Sequence, residues 1–322
     1  MARIVFAWEL GGGMGHLVPY VHVIRTLRAK GHELIFVVRD LSRAPFIAKT
    51  FGAACFQAPL KNWPTTFPIK TPLTYTHILL NMGFDNDESL WGLVEGWRAL
   101  FDTVKPDLLI VEHSPTALFA AGGYTFKKIL MGTGFTIPPI VRPLPNLRYW
   151  IKSDPEALLR DEDRVLGVMN GVLKIFGMSP YSRVTDLFEN APRVFKTFEE
   201  LDPYQGREAD YYGTWANSIG EAPVWPSGNG KKCFVYVKPF PTLPSLLSAL
   251  ASRQLSTIVC IEKANPALKE KCSSPTLRFV EKPQDMVQVA AQCDFAILNG
   301  TLNSTANLLL AGKPTLHLPF FL

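Results

Sequence analysis

Short apolar runs rich in β-branched residues alternate with helical patterns along most of the chain. Runs such as Leu108–Val111 are apolar at every position, which is typical of strands that are buried on both faces of a parallel sheet. Pro106 follows one helical segment and marks its end, because proline cannot continue a helix. The alternation predicts an α/β protein built from doubly wound, Rossmann-like parallel sheets.

The predicted elements form two groups. In the first, the strands are Arg3–Trp8, Glu33–Arg39, Ala54–Gln57, Asp107–Val111, Lys127–Met131 and Arg193–Thr197, and the helices include His16–Lys30, Leu41–Phe51, Glu88–Val104 and Pro155–Phe176. In the second, the strands are Cys233–Val237, Thr257–Ile261, Thr276–Val280, Asp294–Leu298 and Thr315–Leu318, and the helices are Leu243–Arg253, Pro283–Gln292 and Asn303–Ala311. Residues 210–232 between them are rich in Gly and Pro and lack an apolar period. We expect domains at 1–215 and 232–322, joined by a linker at 216–231.

Length, charge and cysteine usage narrow the function classes. The chain has 322 residues, enough for about two domains and a large core. Its 33 Lys and Arg against 28 Asp and Glu give a net charge of +5 without a block of like charges, which disfavours a nucleic-acid partner. The five cysteines form no CxxC pair, and no apolar stretch reaches the roughly 18 residues of a transmembrane helix. We expect a cytoplasmic protein with no transmembrane segment.

A glycine-rich loop follows the first predicted strand, with Gly13 and Gly15 just before His16. Its spacing does not match the GxGxxG dinucleotide fingerprint, so the loop disfavours NAD binding. His16 can accept a proton from a bound hydroxyl near neutral pH, or it can simply cap or pack the turn. Glu112 ends a nearby predicted strand and can orient His16 if the strand ends are neighbours, and His113 can fill the same role.

A second polar loop follows the predicted strand Asp294–Leu298 and opens a helix. Free amide groups at the helix start, with the side chains of Asn303, Ser304 and Thr305, can hold a diphosphate without a metal. The alternative is an ordinary capped helix, because Asn, Ser and Thr are also preferred capping residues.

The two loops together resemble a known family. Gly15-His16, followed by Pro19, is similar to the entry motif of GT-B nucleotide-sugar-dependent glycosyltransferases of the UDP-glycosyltransferase type (family 1). The stretch from Pro283-Gln284 to Gly312-Lys313-Pro314 resembles their donor-binding signature, and the resemblance covers nearly the whole chain. It implies a GT-B fold, with two Rossmann-like domains and a cleft between them.

The resemblance also implies roles for individual residues. His16 would be the general base that deprotonates the acceptor hydroxyl, and Glu112 stands where the family usually has a supporting aspartate. The donor-binding set would comprise Gln284 beside the base or ribose, together with Lys238, Asn299, Gly300, Thr301, Asn303, Ser304, Thr305 and Asn307. No metal and no cofactor are implied, because the nucleotide sugar is a co-substrate.

Four positions depart from the family pattern. Asn299 replaces a phosphate-binding histidine, Asn307 replaces a ribose-binding glutamate, Thr301 replaces a glycine, and Lys238 begins a segment where a small Ser/Gly loop is expected. These changes indicate either an altered donor preference or a degenerate site. The chain also stops directly after a predicted strand, before the segment that in relatives holds the donor sugar. We therefore expect an incomplete C-terminal domain.

The aromatic segment at residues 59–84 is predicted to be irregular and to line an apolar acceptor pocket with the loop after the strand Lys127–Met131; packing on the core is the alternative. The residues assigned to the acceptor and its loops are Gly13, Gly15, Trp63, Phe84, Gly134 and Phe135, and Phe67 belongs to the same segment. Asp85-Asn86-Asp87 matches a metal-binding DxD pattern, but Asp87 is interpreted as a helix cap.

The expected function is therefore that of an inverting glycosyltransferase. It would move a sugar from a nucleotide-diphosphate donor, a UDP- or TDP-sugar, to a hydroxyl of a small-molecule or lipid acceptor, with His16 as the base. The alternative is a non-catalytic nucleotide-sugar-binding protein with a degenerate or truncated donor site.

Overall fold

The computed structural model describes residues 1–65, 68–215, 219–228, 230–261 and 264–319. These fall into two compact units, one comprising residues 1–16 and 20–213 and the other residues 17–19 and 214–322. Phe67 and linker residues 216–218 and 229 lie outside the described residues. Among the described residues, none of the helices is both long and apolar enough to span a bilayer.

Unit 1 contains one six-stranded sheet with helices between its strands. The strands are β1 (Arg3–Trp8), β2 (Glu33–Val38), β3 (Ala54–Gln57), β4 (Leu108–Glu112), β5 (Lys127–Gly132) and β6 (Arg193–Phe195). The helices are α1 (Val21–Ala29), α2 (Ala44–Phe51), α3 (Tyr75–Asn81), α4 (Asp87–Val104), α5 (Pro115–Ala120) and α6 (Pro155–Ile175). The strand order is β3-β2-β1-β4-β5-β6, and every neighbouring pair is parallel.

Unit 2 contains a five-stranded parallel sheet in the order β11-β10-β7-β8-β9. The strands are β7 (Lys232–Tyr236), β8 (Ser256–Cys260), β9 (Leu277–Val280), β10 (Phe295–Leu298) and β11 (Thr315–His317). The helices are α7 (Leu243–Ser252), α8 (Pro266–Cys272), α9 (Met286–Gln292) and α10 (Leu302–Leu310). The predicted α/β class with two parallel sheets is confirmed.

Both faces of the unit 2 sheet are covered by helices, as its apolar strands predict. Val235 of β7 packs in one cluster with Leu247 of α7. Its neighbour Phe234 packs in a second cluster with Val289 of α9 and Leu308 of α10. Successive residues of a strand point to opposite faces, so β7 must be apolar at consecutive positions.

Several predicted elements differ in the structure. The single helix predicted at His16–Lys30 is two 3₁₀ turns, Met14–His16 and Val18–Tyr20, followed by α1. Pro19 explains the break, because its missing N–H removes a helical hydrogen bond. The segment at residues 59–84 is not irregular throughout: it contains α3, whose Tyr75 and Leu79 are fully buried in the core.

Three smaller predictions are also corrected or qualified. The helix cap is Asn86 and not Asp87, since the Asn86 side chain accepts a hydrogen bond from the Ser89 amide. Asp85 is buried and forms an ion pair with Lys61 at 3.1 Å. Within the linker prediction, Glu221 forms a backbone bridge with Gln284, so this part of the segment packs on unit 2.

Candidate active site

The histidine at the glycine loop and the glutamate of β4 lie together at the carboxyl end of the unit 1 sheet. β1 and β4 are adjacent, and their register places Trp8 opposite Glu112. His16 Nδ1 lies 2.6 Å from Glu112 Oε2. A carboxylate only accepts hydrogen bonds, so Nδ1 carries the proton and the lone pair is on Nε2. Of the two partners that the sequence left open, Glu112 makes the contact.

The ring plane of His16 is fixed from one side by stacking. Trp8 lies almost parallel to it, with ring centroids 5.1 Å apart at 15°. A side chain at Gly11 would overlap His16 Nε2, and Gly11 has a φ of +79°, a conformation that glycine adopts without strain. Glycine at this position therefore avoids a side chain that would overlap Nε2.

Glu112 is buried, at 2% exposure, and it has further polar neighbours. The Tyr20 hydroxyl lies 3.5 Å from Glu112 Oε1 and donates a hydrogen bond to the Met131 carbonyl at 3.0 Å. Burial, and then the Glu112 charge, raise the pKa of Tyr20 well above its usual value, so the phenol stays protonated. A buried carboxylate with these contacts is held in place to accept from His16 and to stabilise its imidazolium.

His113 occupies a different position from Glu112. Its backbone has a φ of 44°, and its carbonyl accepts a hydrogen bond from the Leu10 amide at 3.0 Å. The side chain is buried, and Nε2 has no hydrogen-bond partner among the described residues. Burial is the main cause that lowers the pKa of His113 to about 3, so the ring is neutral at physiological pH.

A second buried carboxyl group secures the end of β1. Glu9 accepts hydrogen bonds from the Thr116 amide at 2.6 Å and from Trp97 Nε1 at 3.0 Å. Burial raises the pKa of Glu9 to about 7, and the hydrogen bonds from Thr116 act in the opposite direction. The carboxyl group connects the end of β1 to α4 and α5, one residue after Trp8, whose ring stacks on His16.

The residues predicted for the acceptor pocket lie in different surroundings. Phe135 packs beside His113, with ring centroids 5.6 Å apart. Phe84 is fully buried in the unit 1 core, 6.1 Å from Phe119, and Trp63 is half-exposed and hydrogen-bonded to Ser89. Gly134 packs directly against Asp202, with no room for a side chain. Gly13 and Gly15 are on the loop that leads to His16.

The second polar loop lies at the carboxyl end of the unit 2 sheet. The backbone amide of Asn299 donates to the Tyr236 carbonyl at 2.9 Å, which joins the ends of β10 and β7. Gly300 then adopts a φ of +80°, and Thr301 precedes α10. The first amides of α10 have no earlier helical turn to bond to, so they form a place where an anion can bind.

The side chains of this loop differ in how they are engaged. The side-chain oxygens of Asn299 and Asn303 are buried and have no hydrogen-bond partner among the described residues. Asn307 donates to the Asn303 carbonyl at 2.7 Å, within the helix. Thr305 Oγ1 lies 3.4 Å from His317 Nε2. The preceding residue, Ser304, is buried. The unpartnered side-chain oxygens leave Asn299 and Asn303 able to accept hydrogen bonds from a ligand.

The two remaining donor candidates are Gln284 and Lys238. Gln284 is buried, and its amide donates to the Lys282 carbonyl at 3.1 Å. Lys238 is exposed and lies two residues after the end of β7.

Sequence reasoning overlooked several residues of unit 1 near the candidate base: Trp8, Glu9, Tyr20 and Lys196. In unit 2 it overlooked His317, which lies beside Thr305. Lys196 was predicted to lie within the strand Arg193–Thr197, but β6 ends at Phe195, so Lys196 directly follows a strand end, as Glu112 stands at the end of β4. In parallel sheets, polar residues at the carboxyl ends of strands converge on the site.

Comparisons with solved structures identify the fold. The chain is similar to the glycosyltransferase SnogD from Streptomyces nogalater, with 18% identity and a TM-score of 0.64 over 98% of this chain and 80% of SnogD. It is similar to CalG4, the calicheamicin glycosyltransferase, with 16% identity and a TM-score of 0.67 over 99% and 80% of the two chains. It is also similar to the spinosyn rhamnosyltransferase SpnG, with 14% identity and a TM-score of 0.64 over 100% of this chain and 81% of SpnG.

The predicted resemblance to GT-B glycosyltransferases is thus confirmed for the fold. No protein-family model matches the chain. One curated protein, UDP-glycosyltransferase 91B1 of Arabidopsis thaliana, is 27% identical over 115 residues, which are 34% of this chain and 23% of the plant protein. The match therefore spans less than a quarter of that relative.

Proposed function

We propose that this protein is an inverting glycosyltransferase that moves a sugar from a UDP- or TDP-sugar to a hydroxyl of a small-molecule or lipid acceptor. The observation that carries the proposal is the contact between the partly exposed His16 and the buried Glu112, with no side chain at Gly11 to overlap Nε2 of His16. The GT-B fold and the partial sequence match to a plant UDP-glycosyltransferase support it.

In the proposed reaction, Nε2 of His16 takes the proton of the acceptor hydroxyl. The resulting alkoxide oxygen forms a bond to the anomeric carbon from the face opposite the diphosphate. The bond between that carbon and the diphosphate oxygen breaks, and the electron pair leaves with the nucleoside diphosphate. Glu112 stabilises the imidazolium that forms, so His16 and Glu112 work as one unit.

The leaving diphosphate gains negative charge as the bond breaks. The proposal assigns its stabilisation to the first backbone amides of α10, with the hydroxyls of Ser304 and Thr305 and the side-chain NH₂ groups of Asn299 and Asn303 as further donors. Gln284, Lys238 and Asn307 complete the proposed donor set. Gln284 would lie beside the nucleotide base or the ribose. None of these steps uses a metal or another cofactor.

The test is an assay for release of UDP or TDP from their sugars with a panel of phenolic and lipid acceptors. In His16→Ala, kcat/KM should fall by about 10²- to 10⁴-fold, the usual contribution of a general base. His22→Ala, an exposed histidine of α1, is the matched control and should retain full activity. Equal turnover by His16→Ala and the wild type would contradict the assignment of His16 as the base.

The second candidate is a non-catalytic protein that binds a nucleotide sugar. The unpartnered side-chain oxygens of Asn299 and Asn303 favour it, because they support ligand binding without requiring a reaction. Titration calorimetry with UDP- and TDP-sugars separates the two candidates. Tight binding without turnover supports the binder, whereas no binding of either nucleotide sugar contradicts both.

A further inference from the structure

Lys196 is the most deeply buried lysine near the candidate base. It follows β6 directly, and only 1% of its surface is exposed. An ammonium group is expensive to bury without a compensating charge, so its surroundings indicate what its charge acts on.

The strand ends bring Lys196 close to Tyr20, which in turn lies beside the Glu112 that contacts His16. Its backbone amide donates to the Gly132 carbonyl at the end of β5, at 2.6 Å. Its ammonium nitrogen lies 5.2 Å from the centre of the Tyr20 ring. The hydroxyl of the same Tyr20 lies 3.5 Å from Glu112 Oε1, while the other carboxylate oxygen contacts His16. Lys196, Tyr20, Glu112 and His16 thus form a continuous cluster.

The Lys196 ammonium and a His16 imidazolium both interact with the negative charge of Glu112. Burial lowers the pKa of Lys196 to about 8, and the Glu112 charge acts in the opposite direction. The ammonium form therefore predominates at neutral pH. A cation near Glu112 offsets part of the negative charge that would otherwise stabilise the His16 imidazolium.

We propose that Lys196 is a positioning residue whose positive charge, acting through Glu112, sets the proton affinity of His16. The proposal rests on the proposed function in taking His16 as the base. With the charge in place, His16 gives up its proton at lower pH than it would beside an unopposed Glu112. The base is thereby kept free to accept a proton near neutral pH.

The other titratable groups that face the cluster are few among the described residues. Glu112 is faced by His16, Tyr20, Lys196 and, more weakly, Tyr75. His16 is additionally faced by His113, whose ring is neutral, and by Arg39, which donates to the carbonyl of Gly11 beside the His16 ring. Tyr20 and Tyr75 both have a pKa raised by burial and stay uncharged, so Lys196 is the buried cation that acts on Glu112. Arg39 is partly exposed and is unchanged in every Lys196 variant.

The test replaces Lys196 with methionine, which has a similar length and no charge, in the full chain. The titration midpoint of the His16 ring is followed by NMR, with His16→Ala used to assign its resonance. In Lys196→Met the midpoint should rise by about half a unit to one unit. The acid limb of the pH profile of kcat/KM should move up equally, so activity on that limb falls about three- to tenfold.

Two further variants separate charge from packing. Lys196→Arg keeps the charge and should restore the wild-type midpoint. Lys128→Met removes a half-buried lysine of β5 that donates to the Tyr124 carbonyl, and it should leave the midpoint unchanged. If Lys196→Met does not fold, Lys196→Gln, which keeps a polar head group, repeats the measurement.

The NMR midpoint does not depend on transferase activity. A shift in Lys196→Met together with an inactive wild type would contradict the proposed function and leave the coupling between Lys196 and His16 intact. An unchanged midpoint in a folded, uncharged Lys196 variant would overturn the proposal, and so would an equal shift in Lys128→Met.

Discussion

The two candidate sites lie at equivalent places, the carboxyl ends of parallel sheets, but they are built in different ways. In unit 1, His16 and Glu112 are separated by 96 residues and meet through adjacent strands, with Glu112 almost completely buried. In unit 2, residues 299–305 are contiguous in the sequence and comprise a short loop and the start of α10, with Gly300 and Thr301 exposed. The proposed base relies on a buried charge held on a neighbouring strand, whereas the proposed anion site uses backbone amides at one helix start.

The two constructions predict where each site is sensitive to change. The unit 1 site depends on a few side chains whose charges act on one another at short distance, so a single replacement should have a large effect. The unit 2 site distributes its contacts over several backbone amides and short side chains, so one replacement should have a small effect.

The largest effect is expected for Glu112→Gln. The change keeps the size of the side chain and removes the negative charge that stabilises the imidazolium, so kcat/KM should fall on the order of 10²- to 10³-fold. Steady-state kinetics measure it. Glu33→Gln, at the opposite end of the sheet and exposed, should remain fully active. A loss of only a few fold in Glu112→Gln would remove the contrast between the two sites.

An intermediate effect is expected for the pH dependence of stability. The pKa of His113 is about 3 in the folded chain and 6.5 when it is unperturbed, so the unfolded chain binds the extra proton first. Above pH 6.5, His113 is neutral in both the folded and the unfolded chain, so it does not affect the free energy of unfolding. As the pH falls from 6.5 towards 3, protonation of the unfolded chain lowers the free energy of unfolding. By pH 5 the loss amounts to about 2 kcal/mol.

The matched variant is His113→Asn, because asparagine tolerates the left-handed backbone at this position. Hydrogen exchange of the β4 amides in increasing urea, at pH 8 and pH 5, measures the free energy of unfolding of unit 1. The wild type should lose more stability than the variant between these two values. Equal losses would mean that burial of His113 does not link unit 1 to pH.

The smallest effect is expected for Thr305→Val, which removes one hydroxyl and keeps the shape of the side chain. Losing one hydrogen bond to a phosphate should raise the Kd for UDP or TDP about three- to tenfold. Titration calorimetry measures the change, and Thr103→Val on α4 is the control. An effect as large as that of Glu112→Gln would show that the unit 2 site also depends on single side chains.

Sequence patterns predicted the parallel sheets well because their signal is local. Strands β1 and β3 begin and end at the predicted residues, and apolar runs such as β4 are shifted by a single residue. Helix α3 was missed, since its polar Thr76 and His77 are buried against the rest of the unit and its sequence shows no polar face. Tertiary packing stabilises such a helix in spite of its pattern.

The candidate site was predictable only in part. His16 and Glu112 follow strands, and their positions in the sequence suggested that they could meet. The choice between Glu112 and His113 required the backbone of His113, whose left-handed conformation places its side chain elsewhere. Tyr20 and Lys196 could not be connected to Glu112 from sequence, because their contacts depend on the order of β4, β5 and β6.

The buried Glu9 fixes the end of the strand that carries Trp8, the residue stacked on the candidate base His16. Its two hydrogen bonds, from Trp97 of α4 and Thr116 of α5, fasten the end of β1 to two helices. Trp8, the preceding residue, stacks on the His16 ring, while Glu112 holds its Nδ1. In the proposed reaction, the acceptor hydroxyl would therefore meet a ring whose orientation is already restricted in the folded protein, so little orientational entropy is left to lose when the substrate binds.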